Sequence, residues 1–179
     1  MRVEFTKESF EHAVGLANRA SGKNVNLPVL SCVLLEAKNK VCYVRSTNLD
    51  LGVEVAVSAK VIEDGIVAVP STLLSQYVGT LGNEQKISVE LKGSVLVVTT
   101  KKGTTEIKTI PVDDFPTLPA PDAKKAFLIP SATLLTGFRS VWYAASVSTV
   151  KPELGSVYVY HHDAKMFFVA TDSFRLAEK

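Results

Sequence analysis

Hydrophobic positions over the first 110 residues follow two different periods, one typical of helices and one typical of strands. Apolar residues spaced three and four apart predict a helix over residues 7–20. A second helix is predicted over residues 71–81, where Ser71 is suited to cap its N-terminus. The rest of this α+β pattern predicts antiparallel strands. These strands cover residues 1–5, 29–37, 40–46, 53–59, 66–69, 87–91, 95–99 and 104–110.

The strands over residues 29–37 and 40–46 are separated by a short polar turn, which predicts a hairpin. A turn at Lys38-Asn39 pairs Leu35 with Cys42 and Cys32 with Arg45. The two thiols then lie on opposite faces of the hairpin, so no disulfide is expected. One face of this hairpin is expected to hold Val33, Leu35, Cys42 and Val44.

Residues 111–122 contain four prolines, which predict an extended connector because proline lacks a backbone donor and fixes φ. After the connector the first pattern starts again. It gives a strand at residues 127–129, a helix over residues 131–145, and a hairpin. The two strands of this second hairpin cover residues 154–161 and 164–170.

The second pattern repeats the first at a fixed distance along the chain. Pro152 lies 124 positions after Pro28, and Thr171 lies 124 positions after Thr47. This predicts a duplicated domain: a complete first domain over residues 1–120, the end of the connector at 121–125, and the first half of a second domain over 126–179. We expect either a fragment of a longer protein or a second unit completed by another segment.

Composition and charge narrow the class of protein. Of 179 residues, 46% are hydrophobic and 21% are charged, which excludes a disordered tail, a coiled coil and a disulfide scaffold. The formal net charge of +2 is too small for bulk attraction to nucleic acid, so any such contact depends on local placement of charge. The N-terminus lacks the apolar core of a signal peptide and no apolar run is long enough to cross a membrane, which favours a cytoplasmic location.

Four segments together resemble the bacterial DNA polymerase III β subunit, the sliding clamp family. They are Leu27-Pro-Val-Leu-Ser-Cys-Val-Leu-Leu-Glu36, Thr47-Asn-Leu-Asp-Leu51, Asp113-Asp-Phe-Pro-Thr-Leu-Pro119 and Ala170-Thr-Asp-Ser-Phe-Arg-Leu-Ala177. The resemblance implies the DNA-clamp fold, with antiparallel sheets outside and two helices per domain lining an inner concave face. It further implies three domains per chain and a head-to-tail homodimer ring around double-stranded DNA. Binding to the DNA is then expected to be independent of base sequence.

Candidate DNA contacts are cations near the ends of the predicted helices, because a sliding protein should bind phosphates rather than bases. By charge and position these are Lys7, Arg19, Lys23, Arg139 and Lys151. The resemblance adds Asn24 and Thr149, in loops that match channel-facing loops of the family. Many clamps carry arginine where this chain has Asn24. The alternative interpretation of each cation is an ordinary solvated surface charge.

The resemblance also implies half of a pocket for short apolar peptides from the DNA polymerase III catalytic subunit and the clamp loader. Its second-domain residues match Leu154, Thr171, Arg175 and Leu176. Leucines supply an apolar floor, while threonine and arginine supply hydrogen bonds at the edge. Ser173-Phe174 departs from the common Gly-His. The alternative is a strand-end turn with core leucines.

No catalytic motif and no cofactor site is recognised in the sequence. His161-His162-Asp163 is a weak metal candidate, because neighbouring strand residues point to opposite faces. Trp142 and Tyr143 favour partial core packing over stacking on DNA. We therefore expect a non-enzymatic processivity factor with no metal, no cofactor and no membrane contact. One alternative is a β-rich protein-interaction module that forms no ring. Another is a hydrolase, which no residue in the sequence supports.

Overall fold

The computed structural model describes residues 1–22, 27–82, 84–119, 128–148, 150–163 and 165–179. The chain divides into two compact units, Met1–Ala120 and Pro121–Lys179. Within the described ranges, no helix combines the length and the apolar character needed to cross a membrane.

The described residues of the first unit form two α-helices and two antiparallel sheets. The helices are α1 (Lys7–Ala20) and α2 (Ser71–Thr80), and a 3₁₀ helix covers Pro28–Ser31. The strands are β1 (Arg2–Thr6), β2 (Cys32–Lys38), β3 (Val41–Thr47), β4 (Gly52–Ser58), β5 (Lys60–Glu63), β6 (Gly65–Pro70), β7 (Lys86–Lys92), β8 (Val95–Thr99) and β9 (Thr104–Lys108). One sheet has the strand order β5-β1-β7-β8-β9 and the other β4-β3-β2-β6.

Helix α1 supplies the centre of the first core. Its predicted apolar face is confirmed, since Phe10, Ala13, Val14, Ala17 and Ala20 are all buried. The first four of these pack with inward residues of both sheets and with Leu74 and Val78 of α2. The ring of Phe10 stacks on Phe5 of β1 with centroids 4.5 Å apart.

The first hairpin has a different register from the expected one. Its turn lies at Asn39-Lys40, both with positive φ, and Leu35 pairs with Val44 rather than with Cys42. The same shift makes Leu34, not Cys32, the partner of Arg45. The error is two residues, and an even shift leaves every side chain on its predicted face.

The two cysteines therefore lie on opposite faces, as expected. Cys42 packs in the main core, whereas Cys32 packs in a smaller cluster under the proline-containing segment. Both thiols are free. Burial raises the pKa of Cys42 to about 12 and raises that of Cys32 as well, so both stay protonated at neutral pH.

Two local predictions in this unit are wrong. Ser71 does not cap α2 but is its first residue, and Pro70 precedes it with no side-chain cap. The Ser71 hydroxyl instead donates to Ser21 Oγ at 2.8 Å, which joins the start of α2 to the end of α1. Strand β5 was not predicted, because in Lys60–Glu63 only Val61 turns partly inward and the alternation is too short to detect.

The proline-containing segment belongs to the first unit as far as the structure describes it. Ile110, Val112 and Phe115 pack on the cluster around Cys32. Farther along, a Cβ placed on Gly52 would lie 2.9 Å from Leu118 Cδ2, so the glycine makes room for that leucine. The predicted connector end at 121–125 lies outside the described residues.

The second unit contains α3 (Ser131–Val141) and a three-stranded antiparallel sheet. The strands are β10 (Tyr158–His162), β11 (Lys165–Thr171) and β12 (Leu176–Glu178), and 3₁₀ helices cover Trp142–Ala144 and Pro152–Gly155. The predicted helix over 131–145 thus ends as a 3₁₀ turn, and the hairpin strand predicted from residue 154 begins at Tyr158. The strand predicted over 127–129 begins outside the described residues, and 128–130 form no strand.

The predicted duplication is visible in the local geometry of each unit. The 3₁₀ helices Pro28–Ser31 and Pro152–Gly155 lie 124 positions apart, as do β3 and β11. In the first unit the amide of Gly22 donates to the carbonyl of Leu30 at 2.8 Å. The equivalent amide of Ser146 donates to the carbonyl of Leu154 at the same distance.

Candidate functional site

A tight turn between β11 and β12 forms one wall of the candidate site. The hydroxyl of Thr171 donates to the carbonyl of Arg175 at 2.7 Å and accepts from the amide of Ser173 at 3.1 Å. Asp172 Oδ1 accepts from the amides of Phe174 and Arg175, each at 3.0 Å. These side-chain bonds replace a regular ladder and hold Ser173 at a φ of 76°.

The charged groups of this turn form an ion pair. Arg175 Nε donates to Asp172 Oδ2 at 2.9 Å, and its guanidinium lies 6.0 Å from the ring centre of Tyr143. The backbone hydrogen bonds from Phe174 and Arg175, followed by the charge of Arg175, lower the pKa of the Asp172 carboxyl. Asp172 is therefore ionised at neutral pH, and the Arg175 guanidinium is held beside it.

A groove of about 580 Å³ runs between this turn and the segment that follows α3. Its lining residues are Ala145, Ser146, Val147, Ser148, Val150, Lys151, Leu154, Asp172, Ser173, Phe174 and Arg175. Serine hydroxyls order its far wall, since the amide of Ser148 donates to Ser146 Oγ and that of Val150 to Ser148 Oγ. The lining is mostly apolar and carries the cationic side chains of Lys151 and Arg175, a composition suited to a short peptide.

The four predicted pocket residues divide into two pairs. Leu154 and Arg175 line the groove. Thr171 and Leu176 do not line it: the Thr171 hydroxyl is used inside the turn, and Leu176 begins β12 with 67% of its surface exposed. Lys151, a candidate DNA contact, also lines the groove.

The candidate DNA contacts differ in how much charge they offer. Arg19 in the last turn of α1 and Arg139 in the last turn of α3 are exposed. Within the described ranges neither of them, nor Lys151, forms an ion pair. Lys7 is only 16% exposed and its ammonium lies 2.6 Å from Glu11 Oε2, which leaves little of its charge for a phosphate. Lys23, Asn24 and Thr149 lie outside the described residues.

Trp142 and Tyr143 are mostly exposed, so the expectation of core packing is wrong. They lie in the 3₁₀ turn after α3, where Val141 and Ala144 are the residues buried in the core of the second unit. The Arg175 guanidinium lies over the ring of Tyr143. At the β10–β11 turn, His162 Nε2 lies 3.3 Å from Asp163 Oδ2. Among the described residues, no three His, Cys, Asp or Glu side chains are grouped to hold a metal.

The departure from the common Gly-His at Ser173-Phe174 places a large apolar residue in this turn. Phe174 is 97% exposed and lines the groove.

Solved structures place this fold in a known class. A DNA polymerase III beta subunit from Thermotoga maritima matches with a TM-score of 0.90 and 26% identity, over 99% of this chain and 48% of that one. A sliding clamp from Bartonella birtlesii, solved bound to griselimycin, matches with a TM-score of 0.89 and 25% identity, over 99% of this chain and 49% of that one. The fold is the α+β fold of DNA sliding clamps.

Sequence comparison identifies the family. Residues 1–119 match the family model of the DNA polymerase III beta subunit, N-terminal domain. The chain therefore belongs to the DNA polymerase III beta subunit family. The beta sliding clamp of Synechocystis sp. is 31% identical over 99% of this chain and 47% of its own length, and that of Micrococcus luteus is 31% identical over 100% and 57%. This chain spans about half the length of the curated relatives it matches.

Proposed function

We propose that this chain acts in DNA replication as part of a sliding clamp, which encircles duplex DNA and tethers a DNA polymerase. The observation that carries the proposal is the duplicated helix-and-hairpin unit in a chain of the beta subunit family. Tethering requires no catalysis by the clamp. It raises the concentration of the polymerase at the primer end, in the way that a linker raises the effective concentration of a second binding site.

The proposed DNA contacts are weak and directed at phosphates. Arg19 and Arg139 are the strongest candidates, because both are exposed and close a helix. Lys23, Asn24, Thr149 and Lys151 are proposed from their match to channel-facing loops of the family, and Lys7 contributes least because Glu11 neutralises it. A few such contacts give salt-sensitive attraction without sequence preference, which permits sliding.

The proposed partner site is the groove beside the β11–β12 turn. It accepts short apolar peptides from the DNA polymerase III catalytic subunit and the clamp loader, with Leu154 and Arg175 in direct contact. Thr171 supports the groove by fixing the turn, and Leu176 extends the apolar surface beyond it. The griselimycin-bound structure from Bartonella birtlesii supports a ligand-accepting surface in clamps of this fold.

The full assembly is proposed to be a cytoplasmic homodimer ring. The test uses the protein at the length that the cell makes. It is loaded onto nicked circular DNA with its clamp loader and ATP, and the complex is isolated by gel filtration in high salt. Encirclement predicts retention on the circle and loss after a restriction enzyme linearises it.

The matched control is the same DNA cut before loading, which should retain no protein in high salt. Release from the intact circle at the rate seen on linear DNA would contradict encirclement. That outcome would favour the alternative, an interaction module of the same fold that binds partner proteins without a ring.

A further inference from the structure

A second groove lies where the chain crosses from one sheet of the first unit to the other. Ser58 ends β4 and Lys60 begins β5, so Ala59 alone joins two strands of different sheets. Strand β1 pairs with β7 as far as Thr6, but its pairing with β5 ends at Glu4. This first-unit groove has a volume of about 560 Å³, which is in the range of known ligand sites.

The lining of the first-unit groove combines apolar surface with three lysines. Phe5 is buried in the main core, and Ala59 and Val61 are half-buried and pack against that core. Their positions are therefore fixed before any ligand arrives. The remaining lining residues are polar or charged and are partly or fully exposed: Glu4, Thr6, Lys40, Ser58, Lys60 and Lys86.

Positive charge is in excess along this lining. Glu4 is the one carboxylate among the described lining residues, and its Oε2 lies 3.3 Å from Lys60 Nζ, so these two charges offset each other. Lys40 and Lys86 form no ion pair with the acidic residues that the structure describes, which leaves two cations for a ligand. A ligand with carboxylates next to an apolar group therefore complements both components of the lining.

An extended acidic segment of a protein suits this lining better than a nucleic acid does. A phosphate backbone gains from the cations alone and leaves the apolar part of the lining unused. A side chain such as leucine buries that apolar surface, while neighbouring carboxylates reach the lysines. In addition, Phe5 and Thr6 have no described strand neighbour on the β5 side of β1, so an extended segment can lie alongside them.

We propose that the first-unit groove is a docking site for an acidic segment of a partner protein. The segment places an apolar side chain against Ala59 and Val61 and carboxylates beside Lys40 and Lys86. This site goes beyond the proposed function, because the candidate DNA contacts and the groove beside the β11–β12 turn are formed by other residues. Each exposed charge pair contributes roughly 1.5- to 5-fold in affinity, so the binding is reversible and weakens with salt.

The test titrates capped peptides into the 179-residue chain and follows its backbone amides by two-dimensional ¹H–¹⁵N spectra. The probes are acetyl-Asp-Leu-Asp-Asp-amide and acetyl-Asp-Ser-Asp-Asp-amide, which carry the same charge and differ only in the apolar side chain. The leucine probe should shift the amides of Thr6, Lys60 and Lys86. It should also bind at least about 3-fold more tightly than the serine probe, because partial burial of a leucine is sufficient for that difference.

The test variant is Lys40→Gln with Lys86→Gln, which removes both unpaired cations of the lining. It should weaken binding of the leucine probe by roughly 2- to 25-fold. The matched control is Lys92→Gln with Lys108→Gln, which removes the same charge at the other end of the sheet, since Lys86 begins β7 and Lys92 ends it. The control should bind the leucine probe as the wild type does.

An equal loss of affinity in both variants would assign the binding to net charge and overturn the inference. Equal affinity of the wild type for the two probes would also overturn it, because the apolar lining would then take no part. Absence of binding by either probe would remove the site altogether. A short DNA duplex that shifts the groove amides where the leucine probe does not would make this surface a nucleic-acid contact instead. None of these outcomes alters the circular-DNA test of the ring.

Discussion

Asp172 fixes the turn beside the groove with a single carboxylate. One oxygen accepts from two backbone amides and the other from Arg175 Nε. The ionised form is the better acceptor, so these bonds lower the pKa of the carboxyl. Because the folded-state pKa lies below the unfolded value, the stabilisation is present above the unfolded pKa and is lost as the pH falls through the folded pKa.

The first prediction follows from the lowered pKa of the Asp172 carboxyl. In the wild type the amide resonances of Phe174 and Arg175 should move together as the pH is lowered below about 4, which is the ordinary range of aspartate. Asp172→Asn should keep the turn at neutral pH, because Asn48 makes the same amide contacts in the first unit, and should abolish the acid step. An unchanged acid step in the asparagine variant would assign it to another group.

In each unit a helix packs on a strand at equivalent positions. The second unit has a smaller helix residue and a larger strand residue there than the first. In the first unit Ala13 of α1 and Val44 of β3 are both buried in one core. At the equivalent positions the second unit has Gly137 of α3 and Phe168 of β11, and a Cβ placed on Gly137 would overlap the Phe168 ring. That ring cannot easily move, since it is buried and packs edge-on against Phe138 with centroids 5.5 Å apart. The glycine is therefore required by the phenylalanine and not by the helix.

The second prediction concerns this pair. Gly137→Ala should destabilise the second unit by about 1–2 kcal/mol, because overpacking outweighs the gain in helix propensity. The double variant Gly137→Ala with Phe168→Val restores the first-unit pair and should be more stable than the sum of the single changes by about 1 kcal/mol or more. Urea unfolding of the four proteins measures this coupling. Additive effects would show that the two positions do not compete for space.

Helices and strands were predictable where one face is buried and the periodic pattern extends over many residues. The apolar stripe of α1 located that helix, and alternation located β7, because a buried face requires these patterns. The hairpin register was not predictable, since turns at residues 38–39 and 39–40 leave the same side chains inward. Strand β5 was missed because it buries little. The Ser71 hydroxyl bonds Ser21, fifty positions away, and no local pattern carries such a contact.

The candidate site was predictable only in part, for a related reason. Resemblance located Leu154 and Arg175, and both line one groove. It did not show that the Thr171 hydroxyl is used inside the turn, nor that Lys151 faces the groove. The backbone angles, here the positive φ of Ser173, decide which side chains bond within the turn and which remain exposed to a ligand. A sequence motif gives the residue types but not their orientation.

The two units differ in how much apolar surface each one buries. The first closes its core between two sheets and two helices. Among the described residues of the second unit, α3 is the only α-helix, and it packs on a three-stranded sheet around Val141, Ala144, Phe168, Ala170 and Ala177. Stability scales with apolar area removed from water, so the second unit should open at a lower free-energy cost.

The third prediction compares matched elements of the two units by hydrogen exchange. Peptides from α3 and β11 should exchange at least about 10-fold faster than peptides from α1 and β3, which corresponds to ~1.4 kcal/mol of opening free energy. Each strand is central in its sheet, so the comparison isolates the core from edge effects.

The Cys42 thiol, buried in the first core, provides a second probe, because its labelling requires opening of that core. Thiol labelling should therefore be slow under conditions where α3 already exchanges. Equal exchange of the matched elements, or labelling of Cys42 at the rate of α3 opening, would mean that the units unfold together.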